Sequence, residues 1–330
     1  MRWNLPAVAF PFWLAGLLAG CSHLSDSGRP LAAERADASH VNPVLGEETW
    51  GIACVSVASG REQPDNKAEM GTQVLMGHAV RLRAMTRLWA QVESADDYLS
   101  WLEKGTFVRC RREQVDQWNQ GPLLIVTALE DAILERPEAG SQAVSDIVIG
   151  DLVRKVGEEG EWFKVRLPDE REGFVPRKSV EEFASWKRSR RATPESIERT
   201  ARTLMGRPYL WGGNSPKGLD CSGLTKLTFF LNGIELSRNA SQQARLGTQV
   251  EVDGDLSRLR KGDLLCFGFR ARAGRPERVT HVGIYLGDKL FIQSSQRVRI
   301  SSLDPNSPIR DEFRIRTLLF GRRILRSSNE

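Results

Sequence analysis

The sequence predicts a multidomain protein in which two small all-β barrels are followed by an α+β domain. Three observations predict it. Two stretches match each other at a constant offset of 73 residues, so one small module is present twice. Both copies read as short strands between turns. Beyond residue 194, two stretches with helical spacing precede three strand-like runs, the succession expected of an α+β domain. With 330 residues, 40% hydrophobic and 27% charged, the chain has room for these units and is neither disordered nor fibrous.

Residues 1–20 carry one charge, Arg2, and an apolar stretch from Leu5 to Leu18 interrupted by Pro6 and Pro11. The stretch is shorter than the roughly 20 apolar residues of a membrane-crossing helix, so it reads as a signal peptide and not as a transmembrane anchor. Leu18-Ala19-Gly20-Cys21 resembles a bacterial lipobox, which implies a lipidated Cys21 as the mature first residue. Ser22 after it resembles outer-membrane sorting in Gram-negative bacteria, implying an envelope lipoprotein held by its acyl chains at the outer membrane and facing the periplasm. The alternative is a plain secretory signal with a chance cysteine. Residues 21–49 continue as a polar stretch without apolar period, a flexible tether.

The modules span residues 50–118 and 122–183. Gly77-His78-Ala79-Val80-Arg81 matches Gly150-Asp151-Leu152-Val153-Arg154, Trp89 and Val92 match Trp162 and Val165, and Trp101-Leu102 matches Phe174-Val175. From Trp162 to Leu167, alternation puts Phe163, Val165 and Leu167 on one face, with turn residues on either side. Ala132-Ile133-Leu134-Glu135-Arg136-Pro137, Gly150-Asp151-Leu152-Val153 and Glu161-Trp162-Phe163-Lys164-Val165 resemble bacterial SH3 modules, which implies small barrels. Residues 184–193 follow as an interdomain linker, and its cluster Lys187-Arg188-Ser189-Arg190-Arg191 is expected to be solvated. The net charge of +5, without a basic stripe interleaved with aromatics, gives no reason to expect a nucleic-acid partner.

Residues 194–330 form the α+β domain. Thr193 is placed to N-cap a helix opened by Pro194 and carried by Ile197 to Met205. A second helix begins at Cys221, with Asp220 as N-cap, Leu224, Leu227, Phe230 and Leu231 at helical spacing, and Gly233 as stop. Asp263 to Phe267, His281 to Leu286 and Leu290 to Gln293 read as strands, the last two joined across Gly287-Asp288.

Of the five cysteines, at 21, 54, 110, 221 and 266, no two have the close spacing of a zinc or thioredoxin-type site, so neither metal nor cofactor is expected. Cys54 and Cys110 stand near the two ends of the first module, where a disulfide could close it in an oxidising compartment. Cys266, in an apolar run, reads as a buried residue. Cys221 differs, because the first turn of a helix lowers a thiol's pKa through the aligned backbone dipole. Gly223 leaves room beside it for a substrate backbone, and Ser222 offers a hydroxyl at the mouth. The four histidines are at 23, 40, 78 and 281, so any base in the last domain is His281. Along its strand His281, Gly283 and Tyr285 share a face. Depending on the loop, His281 pairs with Ser294 or with Gln293, whose amide can hold the imidazole.

Residues 194 to about 320 resemble the NlpC/P60 family of papain-like cysteine peptidases. The likeness is carried by Pro208-Tyr209-Leu210-Trp211-Gly212-Gly213, Asp220-Cys221-Ser222-Gly223-Leu224, Gly262-Asp263-Leu264-Leu265, His281-Val282-Gly283-Ile284-Tyr285-Leu286-Gly287 and Phe291-Ile292-Gln293. With the two SH3-like modules, the mature chain resembles the γ-D-glutamyl-L-diamino acid endopeptidases of that family. The resemblance implies that Cys221 attacks the γ-carbonyl of D-glutamate in murein peptides of the form L-Ala-γ-D-Glu-diamino acid, that His281 protonates the departing amine, and that Gln293 orients His281. It implies an oxyanion site at the Cys221 N–H and the Tyr209 hydroxyl. It further implies that a free L-Ala amine is held by Glu69, Tyr98 and Asp220. Two positions depart from the family: Gln293 stands where histidine is often found, and Asn239 where the subgroup commonly has aspartate. Competing readings are a wall-remodelling hydrolase acting on intact stem peptides, acyl transfer or amidase chemistry with the same dyad, and a non-catalytic wall-binding lipoprotein.

Overall fold

The computed structural model describes residues 46–252, 256–272 and 274–325; the leader, Cys21 and the tether up to residue 45 lie outside the described residues. None of the described helices is long and apolar enough to cross a membrane.

The first module is built from β1 (Trp50–Ala53), β2 (Val57–Arg61), β3 (Met70–Leu75), β4 (Ala79–Met85), β5 (Trp89–Glu93), β6 (Leu99–Glu103) and β7 (Phe107–Cys110), followed by helix α1 (Arg112–Gln120). The second comprises β8 (Leu123–Val126), β9 (Glu130–Leu134), β10 (Ala143–Val148), β11 (Leu152–Glu159), β12 (Trp162–Arg166), β13 (Glu172–Pro176) and β14 (Val180–Glu182). Their strand orders, β3-β2-β6-β5-β4-β1-β7 and β10-β9-β13-β12-β11-β8-β14, agree position for position. The matched apolar residues fill equivalent places: Val80 and Val153, Val92 and Val165, and Leu102 and Val175 are all at most 1% exposed.

The two modules are clasped through the turns that define the repeat. Gly77 and Gly150 both have positive φ, 79° and 95°, a conformation that glycine adopts without strain. A Cβ on Gly77 would lie 2.3 Å from the Leu152 carbonyl oxygen, so the turn can approach the second module only without a side chain. His78 donates from Nε2 to the Gly150 carbonyl (2.9 Å), Asp151 accepts the Met76 N–H (3.0 Å) and the Val148 N–H (2.8 Å), and Leu152 N–H donates to Met76 O. Trp118 of α1 adds a bond from its indole N–H to Gly77 O (2.9 Å).

Cys54 and Cys110 are buried free thiols, not a disulfide. The register explains it: Cys110 lies opposite Trp50, four residues before Cys54, which puts the two about 13 Å apart at the usual rise per strand residue. The segment 184–193 is also not an open linker. It begins within α2 (Phe183–Ser189), where buried Trp186 stacks on Phe183 and meets Phe230, and the Arg190 guanidinium covers the indole.

The last domain opens with α3 (Pro194–Thr203), capped by Thr193 accepting the Ser196 N–H. A short hairpin, β15 (Asn214–Ser215) and β16 (Gly218–Leu219), leads into α4 (Cys221–Phe230), capped by Asp220. After α5 (Ala240–Gln243) come β17 (Thr248–Val250), β18 (Leu264–Phe269), β19 (Arg278–Gly287), β20 (Leu290–Ser295), β21 (Arg297–Ser302), helix α6 (Glu312–Thr317) and β22 (Leu318–Arg323). The sheet order is β17-β22-β18-β19-β20-β21, and α4 packs on the face carrying Val282, Ile284 and Ile292. The β19–β20 turn is Asp288-Lys289, both with positive φ, and not Gly287-Asp288; Gly287, with φ of 95°, sits beside a register shift. Positive φ at both turn residues matches the twist of a tight hairpin. As a result Ile284 pairs with Ile292, which sets Gln293 opposite Gly283 and diagonal to His281, a register between neither of the two expected pairings.

Side-chain hydrogen bonds and one close backbone approach hold the first module on this domain. Asn214 donates from N–H to Gln73 Oε1 (2.9 Å) and from Nδ2 to Gln73 O (3.1 Å), and a Cβ on Gly212 would lie 2.2 Å from Met70 O. A buried ion pair, Lys226–Asp96 at 3.0 Å, ties α4 to the loop before β6. Replacing Asp151→Ala removes the side-chain acceptor of the buried Val148 N–H and leaves the Met76 N–H only its longer bond to Ser56 O (3.3 Å); we expect a loss on the order of 2 kcal/mol in denaturant unfolding. A variant as stable as the parent would contradict the clasp.

Candidate active site

Cys221 is the first residue of α4 and is 8% exposed. Its position follows from Asp220, whose carboxylate is saturated. Oδ1 accepts from Gly223 N–H (2.7 Å), Ser222 Oγ (3.1 Å) and Arg238 Nη1 (3.2 Å), and Oδ2 accepts from Gly212 N–H (3.0 Å) and Arg238 Nη2 (2.5 Å). Arg238, fully buried, was not singled out from the sequence, although it lies in the segment that contains Asn239. Burying such a pair costs desolvation of both ions, which the five hydrogen bonds offset. Gly223 serves packing and not substrate: a Cβ there would lie 2.0 Å from Gly213 O. The Ser222 hydroxyl is likewise taken up by Asp220 and Arg238.

His281, on β19, and Gln293, on β20, are buried, and His281 Nε2 lies 2.7 Å from Gln293 Oε1. The direction of the amide is over-determined. Its Nε2 donates to Ser301 Oγ (2.9 Å) and Asp311 Oδ2 (2.9 Å), and its Oε1 also accepts from Arg314 Nε (3.2 Å). The ring nitrogen facing Oε1 is therefore the N–H, which leaves Nδ1 able to accept a proton. A Cβ on Gly283 would press on Ile292 O (3.0 Å) and the Phe291 ring (3.1 Å), so glycine leaves room for the strand beside it.

Cys221, His281, Tyr209, Ser222 and Asp220 line one cavity of about 750 Å³, together with Glu69, Tyr98, Asn239, Arg278 and Arg314. The first module thus forms part of the wall. Tyr98 donates to Glu62 Oε1 (2.7 Å), and Glu62, which was not foreseen, also lines the cavity; its N–H pairs with Glu69 O at the end of the β2–β3 hairpin. Tyr98 and Tyr209 both have raised pKa values, Tyr209 up to about 12, chiefly through burial, so both phenols remain donors. Cys21 lies outside the described residues, and among those described no three His, Cys, Asp or Glu side chains converge to hold a metal.

Burial pushes the Cys221 thiol up to about 11, with Asp220 adding to the rise, while the Val282 and Ser222 N–H groups and Arg238 oppose it. Burial also brings His281 down to about 3, followed by the charge of Arg314; Gln293 and Asp311 act in the opposite direction. The site disfavours either charge alone. Moving the proton from Sγ to the ring creates both charges together, each compensating the other.

A thiol at a helix start, an imidazole on the adjoining sheet and an amide holding that imidazole define a cysteine peptidase. Residues 206–316 match the NlpC/P60 family, and residues 60–105 match the bacterial dipeptidyl-peptidase Sh3 domain. The chain is similar to dipeptidyl-peptidase 6 of Lysinibacillus sphaericus, 26% identical over 275 residues, which is 78% of this chain and 93% of that one. It is also similar to the gamma-D-glutamyl-L-lysine dipeptidyl-peptidase of Bacillus cereus, 25% identical over 292 residues, 86% of this chain and 83% of that one. An NlpC/P60 family protein from Bacillus cereus has the same fold, with a TM-score of 0.70 at 21% identity, across 84% of this chain and 100% of that one. The chain is a cysteine peptidase that carries an NlpC/P60 domain, with a bacterial SH3 domain ahead of it.

The pH dependence follows from the charges around the dyad. Arg314→Gln removes a cation that opposes protonation of the ring and favours thiolate. We expect the acid limb of Cys221 alkylation by iodoacetamide to move to higher pH in this variant, and to lower pH in Asp311→Asn. Profiles that coincide with the parent's in both folded variants would sink this account.

Proposed function

We propose that the protein hydrolyses the γ-D-glutamyl bond to a diamino acid in murein peptides whose L-Ala amine is free, as in the recycling of wall fragments. The observation that carries this reading is the acidic wall formed by the first module, with Glu62, Tyr98 and Glu69 on the cavity that contains Cys221 and His281. An ammonium group there meets two carboxylates and a phenol. Because Asp220 already receives five donors, its role in this reading is to position Cys221 and Ser222, and the amine falls to Glu62 and Glu69. The similarity to a gamma-D-glutamyl-L-lysine dipeptidyl-peptidase of Bacillus cereus supports the same bond class.

In the reaction, Cys221 passes its proton to His281 Nδ1 and Sγ attacks the γ-carbonyl carbon. The Cys221 N–H and the Tyr209 hydroxyl stabilise the oxyanion. As the C–N bond breaks, His281 returns the proton to the leaving amine, and a thioester remains. A water molecule, giving a proton to His281, then releases the dipeptide acid. Gln293 keeps the ring in the required tautomer throughout.

The shared strand order supports reading the second module as another SH3 barrel. Leu18 to Cys21 supports an envelope lipoprotein, for which palmitate incorporation lost in Cys21→Ala is the expected result and unchanged labelling the contrary one.

The decisive experiment gives the purified protein L-Ala-γ-D-Glu-meso-diaminopimelate with its amine free or acetylated and identifies products by mass spectrometry. We expect L-Ala-D-Glu from the free peptide alone, none with Cys221→Ala, and a raised KM with Glu62→Gln. Equal cleavage of the acetylated peptide would move the function to remodelling of intact wall; cleavage of neither would reject the reading.

A further inference from the structure

The cavity carries carboxylates, Glu62 and Glu69 among them, and cations in Arg278 and Arg314. Glu62, Glu69 and Tyr98 come from the first module, and Arg314 lies beside the imidazole. This residue is built into its place. Its N–H is capped by Asp311 Oδ1 (3.1 Å), and its guanidinium sits 5.6 Å from the Phe267 ring centre and 5.2 Å from that of Phe313. Nε donates to the same Gln293 oxygen that holds His281. The Asp311 charge favours the charged guanidinium, yet Asp311 Oδ2 bonds to Gln293 Nε2 (2.9 Å) and Arg299 Nη2 (3.4 Å) and not to the Arg314 Nη groups. Among the described residues, neither Nη of Arg314 has a carboxylate within 4 Å.

Chemistry decides which part of a substrate meets this fork. The leaving amine must take its proton from His281, so the leaving amino acid occupies the His281 side of the sulfur, where Arg314 stands. Its α-carboxyl carbon is two bonds from the departing nitrogen. We propose that Arg314 is a specificity residue that binds the free α-carboxylate of the leaving diamino acid, so that the protein prefers peptides ending at that residue over longer ones. In a longer peptide that carbon belongs to an amide, which offers one neutral oxygen in place of the two charged oxygens that fit a guanidinium side by side. This inference rests on the reading given under Proposed function and deepens it.

The test compares kcat and KM for L-Ala-γ-D-Glu-L-Lys, for its C-terminal carboxamide, and for the analogue with D-isoglutamine in place of D-Glu. We expect the parent to favour the acid over the carboxamide by tenfold or more in kcat/KM. Arg314→Gln should bring that ratio close to one, mainly through KM on the acid, and Arg314→Lys, which keeps the charge, should retain an intermediate ratio. An equal loss on acid and carboxamide in Arg314→Gln would mean that Arg314 acts only by holding Gln293, and would overturn the proposal. So would a loss of discrimination confined to the isoglutamine peptide, which would assign the carboxylate to D-Glu. If the parent cleaves none of the peptides, the functional reading itself fails and this inference falls with it.

Discussion

Asp220 is the constraint on which the site depends. One carboxylate caps α4, anchors the loop at Gly212, holds the Ser222 hydroxyl and pairs with buried Arg238. These contacts join three short stretches of chain between residues 212 and 238. Because Gly212 in turn lies against Met70 of the first module, the same carboxylate indirectly sets the distance between the thiol and the acidic wall opposite it. A charge removed from water is tolerated here only because every lone pair is used, so any change in one partner leaves the others unsatisfied.

The imidazole is held by a second network of the same kind. Gln293 presents its oxygen to His281 because Ser301 and Asp311 accept from its amide nitrogen. A histidine in that position could exchange tautomers with its partner; an amide with both ends fixed cannot, so the ring has one resting state. Arg314 completes the network through the Gln293 oxygen while it also lines the cavity.

Local chemistry was legible in the sequence, and long-range pairing was not. The duplication, the caps Thr193 and Asp220, the helix opened by Cys221 and the strand carrying His281 all follow from spacings of a few residues. Gln293 could be named as a partner, yet its register could not, because the hairpin turns on Asp288-Lys289 with a shift beside it. Arg238, Glu62 and Arg314 reach the site from separate elements, and in a linear reading each is one charged residue among many. Whether Cys54 and Cys110 pair was open in the sequence for a similar reason: proximity of two cysteines depends on strand register, which separates Cys54 from Cys110 along the ladder.

The clasp between the modules bears on how a duplicated unit becomes a pair. Two identical turns brought face to face would offer one another the same group, donor to donor or acceptor to acceptor. Here the equivalent positions have diverged, to a histidine that gives a hydrogen bond in the first copy and an aspartate that receives one in the second. The modules are therefore no longer interchangeable. Their order along the chain is written into one pair of residues, and only the first copy, in its own place, can bring its hairpin to the mouth of the peptidase domain.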